Sequence, residues 1–189
     1  MTSSLSQRKN PKQNFSIKDF LLSIRKNISK RICCIEFGRD YILISEVRLI
    51  GSEIYINKVS SLKLPSEALE NGVPTDTEEM GNTIKQIIKE EKIIAKKAAV
   101  VLSPDSFYSR LIQVPENLSK SDAFNFVKNP ASTLQIPISI SNVDFDINKT
   151  NFGNEKLNSK ENYFFISLPK QSTNKLINTF KKAQLDLFF

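Results

Sequence analysis

The chain has 189 residues, 40% of them hydrophobic, which suits one ordinary domain or two small ones with a buried core. Histidine is absent, which excludes Ser-His-Asp and Cys-His catalysis and His-ligated zinc. The net charge of +7 belongs wholly to an N-terminal arm: residues 1–31 hold eight bases against one acid, Asp19, and the remainder sums to zero. A neutral body offers no broad basic surface, so nucleic acid is not an expected partner.

Residues 1–15 are polar and predicted to be a disordered basic arm. They lack the apolar core of a signal peptide, and no run approaches the roughly 20 apolar residues that span a bilayer. A cytoplasmic location is the expectation. Ser16 opens a predicted helix over residues 16–29, with Asp19 three residues on in capping-box style. Phe20, Leu21, Ile24 and Ile28 form one apolar stripe, while Lys18, Arg25 and Lys26 lie mostly away from it. Such a helix can rest on an anionic membrane surface through these residues, or pack its stripe on the domain. The concentrated charge favours the membrane surface.

Arg31 to Ile56 reads as strand, glycine turn, strand, two-residue turn, strand. Ile32–Phe37 is an apolar run, Cys33 and Cys34 included, with one acid near its end, Glu36. Gly38 can take backbone angles that cost other residues energy. Gly51-Ser52 fits a tight hairpin, and Val59–Leu64 extends the third strand. The adjacent cysteines alternate across that first strand, so a bridge between them would be strained, and they read as small apolar residues.

Residues 65–79 form a predicted loop with turn signals at Asn71-Gly72 and Pro74. Asp76 and Glu79 cap a helix carrying Met80, Ile84, Ile87 and Ile88 to about Glu91. Ala98–Leu102 is a short buried strand, Ser103-Pro104-Asp105 a turn, and Phe107–Val114 a longer strand. Ser119 and Asp122 cap a helix with Ala123, Phe124 and Val127, limited by Pro130. Residues 134–140 are extended or loop-like. Asn142–Asn148 alternates as a half-buried strand, with Asp144 and Asp146 on a solvated edge. Thr150–Lys160 is a polar turn, Tyr163–Leu168 a buried strand, and Pro169 to about Gln184 a helix facing inward through Leu176, Ile177 and Phe180. The order βββα, then ββαββα, predicts a layered α/β (α+β) fold.

Three stretches resemble the PilM family of actin-like type IV pilus assembly proteins. They are CIEFGRDYILISEV, LPSEALENGVPTDTEEMGNTIKQIIKE, and AAVVLSPDSFYSRLIQVPENLSKSDAFNFV. The resemblance implies a partial actin-like (ribonuclease H-like) subdomain over residues 30–103, rejoined by 161–189, with a small α+β subdomain inserted at 104–160. It implies docking of a PilN-like inner-membrane protein, contact with other pilus assembly proteins, and a place on the cytoplasmic face of the inner membrane. Pilus machinery of this kind drives twitching motility and DNA uptake.

In actin-like ATPases, an acid, one residue and a glycine between two strands hold nucleotide phosphates and metal. By that resemblance Glu36, Gly38, Arg39 and Asp40 form a degenerate phosphate loop for ATP and Mg²⁺. The family usually has small hydroxyl residues after the glycine, whereas Arg39 and Asp40 stand here, and a carboxylate facing phosphate repels it. The sequence also stops where the second, nucleotide-closing half should begin, which implies a truncated or split product or a lineage reduced to its docking half. No catalytic residue and no metal ligand set stands out. The expected role is a non-enzymatic scaffold. The alternatives are an ATPase completed by a second chain and an unrelated α/β interaction domain.

Overall fold

The computed structural model describes residues 31–129, 134, 136–150 and 160–187. The predicted arm 1–15 and the predicted helix 16–29 therefore lie outside the described residues. So do its seven membrane-surface candidates, Lys18, Phe20, Leu21, Ile24, Arg25, Lys26 and Ile28, together with Pro130 and residues 151–159. No helix among the described residues is long and apolar enough to cross a membrane.

Three consecutive antiparallel strands open the fold: β1 (Arg31–Phe37), β2 (Tyr41–Ile50) and β3 (Glu53–Lys63). Their β-branched residues suit a pleated surface, and period-two alternation sends Cys33, Ile35, Phe37, Ile42 and Ile44 to one buried face. A two-strand hairpin, β4 (Leu69–Glu70) and β5 (Val73–Pro74), follows. Then come helix α1 (Thr77–Glu90) and strand β6 (Lys97–Val101), which pairs in parallel with β1. Asp76 caps α1 by accepting from the Glu78 and Glu79 N–H groups, at 2.8 and 2.9 Å.

The chain then leaves this sheet through a short 3₁₀ turn, Pro104–Ser106, and builds a second unit. Strands β7 (Tyr108–Pro115), β8 (Val143–Lys149) and β9 (Lys160–Pro169) pair in the order β7-β9-β8, with helix α2 (Lys120–Lys128) against them. Helix α3 (Lys170–Lys182) and strand β10 (Asp186–Leu187) return to the first sheet, whose order is β10-β6-β1-β2-β3.

Each sheet has its own core. The larger packs the inner faces of β1 and β2 against Met80, Ile84 and Ile87 of α1 and Leu176 and Phe180 of α3. Phe37 and Phe180 meet edge to face at 6.4 Å. Burying a ring of this size contributes about 1.5–3 kcal/mol. The smaller core gathers Ile112, Val114, Ala123, Val127, Ile147, Tyr163 and Phe165. Phe145 stacks between Phe124, at 4.4 Å, and Phe165, at 5.5 Å.

This is the mixed α/β fold read from the sequence, with three differences. Residues 65–76 are not all loop: Asn71-Gly72 makes a hairpin, and Pro74 lies in its second strand. The terminal Leu185–Leu187 region supplies a sheet strand, β10. And the large core contains a carboxylate, Glu46, only 1% exposed on the inner face of β2.

Glu46 sits at a β-bulge, where Glu46 pairs with Lys58 and Val47 with Ile56, leaving Asn57 as the extra residue. Its Oε1 accepts from the backbone N–H groups of Ile94 and Ala95, at 2.9 and 3.0 Å. Its Oε2 faces Arg31 Nη1 at 3.4 Å and Asn57 Nδ2 at 3.5 Å. Burial alone would raise this carboxyl; the four donors together hold it below the ordinary glutamate value.

Candidate functional site

The parallel strands β1 and β6 end side by side, with Glu36 opposite Val101. Ligands of open α/β sheets bind beyond the carboxyl ends of such strands. A cleft of about 820 Å³ lies there, lined by Glu36, Phe37, Gly38, Arg39, Tyr41, the Asn71-Gly72 hairpin tip and Ser103–Asp105. The Asn71-Gly72 tip is a tight turn with φ of +50° and +72°, the positive pair that an Asn-Gly hairpin turn adopts. Ser106 Oγ donates to Asn71 O at 2.6 Å, tying the tip to the loop after β6, and any Cβ on Gly72 would crowd that hydroxyl.

Three of the four sequence-predicted phosphate-loop residues, Glu36, Gly38 and Arg39, thus meet in one cleft. Asp40 is exposed and does not line it; its carbonyl accepts from Leu64 N–H at 2.8 Å. Gly38 plays a different part from the one expected. It does not adopt a positive φ; instead the Tyr41 ring lies over it, and a Cβ there would overlap the ring. Gly38 N–H donates to Tyr41 O at 2.9 Å, and Tyr41 Oη donates to Glu36 Oε1 at 2.9 Å. That hydrogen bond, with the charge of Glu36, pushes the Tyr41 phenol above its ordinary pKa.

In this arrangement the Tyr41 ring covers Gly38 and its hydroxyl engages the Glu36 carboxylate, so a phosphate group at this loop requires the exposed Tyr41 side chain to move. Two carboxylates, Glu36 and Asp105, share the cleft with one guanidinium, Arg39. Among the described residues no group of three or more His, Cys, Asp or Glu side chains is placed to hold a metal ion.

A second concavity, unforeseen in the sequence, lies between the two units. It measures about 380 Å³ and is lined by Val100 of β6, Leu102 and Phe107 beyond it, Asp144–Asp146 of β8, Ile166–Leu168 of β9, Thr173 and Leu176 of α3, and Leu187 of β10. Among the described residues strands β8 and β10 are both sheet edges, so this apolar groove is bordered by strands with open pairing sides. Asp144 and Asp146, read as a solvated edge, are exposed and stand in its lining. No single segment signals the groove, because its residues come from five separate elements.

The Type IV pilus assembly protein PilM family model matches residues 34–187. The chain belongs to that family. Among solved structures, a PilM-PilN type IV pilus biogenesis complex matches with a TM-score of 0.70 at 18% identity. The cytoplasmic domain of EpsL, an inner membrane component of the Vibrio cholerae type II secretion system, matches with a TM-score of 0.51 at 8% identity. Each alignment covers 84% of this chain, but only 46% of the first structure and 56% of the second. The chain therefore spans about half the length of these relatives. No curated protein sequence matches it. The likeness to these PilM and EpsL structures extends over the mixed α/β fold described above.

Proposed function

We propose that this chain is a docking component of type IV pilus assembly at the cytoplasmic face of the inner membrane. In this reading the inter-unit groove receives an extended segment from the cytoplasmic tail of a PilN-like partner. The observation that carries it is the apolar groove bordered by two open strand edges. An added strand gains main-chain hydrogen bonds from such an edge and side-chain pockets from the groove. The likeness to a PilM found in complex with PilN supports the partner's class. Cytoplasmic segments flanking membrane spans are rich in Lys and Arg, which suits Asp144 and Asp146 at the lining. Fluorescence anisotropy with a labelled peptide of that tail tests the reading. Saturable binding is expected, and none up to about 1 mM would overturn it.

The second reading is MgATP binding by the Glu36–Gly38 cleft, completed by a second chain. The cleft's size favours it, since ligand pockets run to about 300–1,000 Å³. The Tyr41 ring over Gly38 weighs against it, and the chain is read as a scaffold rather than an ATPase. Calorimetry with MgATP is expected to show no micromolar binding. Micromolar binding lost in Glu36→Ala would reverse that preference.

A further inference from the structure

Among the described residues, no element covers one half of the outer face of the five-stranded sheet. Ile54 is 68% exposed, Ile56 65%, Val59 57% and Leu49 49%. Register places these side chains together. Ile32, Val47 and Ile56 form one row across β1, β2 and β3, and Leu49 and Ile54 form the next. Opposed residues on antiparallel strands point to the same face, and Cys33 and Glu46 beside them point to the buried one. The apolar rows sit at the strand end where the chain enters β1 at Arg31. Toward Gly38 the same face is mixed, with Ser45 opposite Val59, and Leu43 between Glu36 and Ser61.

We infer that this apolar half-face seats the chain's own N-terminal segment, residues 16–29. The segment carries four large apolar residues at helical spacing, Phe20, Leu21, Ile24 and Ile28, and only Lys30 separates it from Arg31. A helix of that length spans roughly 21 Å, about the width of a sheet of five strands. A patch of this kind is an association liability in a free monomer, and a tethered helix meets it at high effective concentration. Docked this way, the stripe faces the sheet, while Lys18, Arg25 and Lys26 remain in solvent.

Hydrogen–deuterium exchange on the full chain tests the assignment, because an isolated helix of 14 residues is marginal in water and exchanges freely. Slow exchange of residues 16–29 is expected in the protein alone, independent of its concentration. Ile56→Asp on the sheet and, separately, Ile24→Asp on the segment should each abolish that protection while β1 and β2 keep theirs. Ile54→Lys is the substitute should Ile56→Asp unfold the sheet. Free exchange of residues 16–29 in the unaltered chain, or protection indifferent to the sheet variants, overturns the inference. Protection that appears only with anionic vesicles assigns the segment to the membrane, and protection that grows with protein concentration assigns the face to a second copy; either overturns it too.

Discussion

Glu46 Oε1 serves two backbone N–H groups of the loop leading into β6, while Oε2 faces Arg31 and Asn57. Truncation leaves buried donors unpaired, so Glu46→Ala is expected to cost about 2–4 kcal/mol in urea unfolding. Glu46→Gln keeps an acceptor for Ile94 and Ala95 but turns an amide toward Arg31, and should recover only part of that loss. The pH dependence follows from the lowered carboxyl. Its contribution is fully present above about pH 4.5, the ordinary glutamate value, and is lost as pH falls through the folded-state value. The Gln variant should flatten that acid limb; an unchanged limb would show that Glu46 is not its source. Nothing in the local pattern marks Glu46 as structural, because its partners lie 11 to 49 residues away. Glu36 drew notice for the opposite reason, standing two residues before a glycine at a strand end. The Tyr41 ring over that glycine depends on a side-chain rotamer that spacing does not specify.

Helices α1 and α3 cross closely at Gly81, where an added Cβ would lie 2.6 Å from Lys182 Cβ and 2.8 Å from the Thr179 carbonyl oxygen. Glu78 and Lys182 form an ion pair across the same contact. In an exposed helix, Gly→Ala gains about 1 kcal/mol. Here overpacking of about 1–3 kcal/mol opposes it, so Gly81→Ala is expected to destabilise or at best be neutral. Asn82→Ala, one residue on and exposed, should gain a few tenths of a kcal/mol. A full stabilisation by Gly81→Ala would refute the close crossing. Elements of this size were largely legible. Asp76 and Ser119 announced their helices, and runs of apolar, β-branched or aromatic residues announced β1, β2, β6 and β9. The β4–β5 hairpin was missed because two-residue strands carry no periodicity, although Asn71-Gly72 marked its turn.

Across the whole molecule, two cores meet along a groove that belongs to neither, which is why the sequence showed the units and not the space between them. Reversing its charge with Asp144→Lys and Asp146→Lys is expected to weaken binding of a basic tail roughly five- to tenfold, with the fold intact because both side chains are exposed. Filling the groove with Thr173→Trp should weaken it by about tenfold or more. Unchanged anisotropy titrations for both variants would place the tail elsewhere. The parallel pairing of β10 with β6 has a consequence for biogenesis. Strands β1–β3 close through short hairpins and can form as soon as they leave the ribosome, and the β7–β9–β8 sheet needs nothing beyond Pro169. The register of Leu187 with Ala98 joins residues far apart in the chain. The large sheet thus waits for the inserted unit to be synthesised, and the β6 edge stays open throughout translation of everything between them.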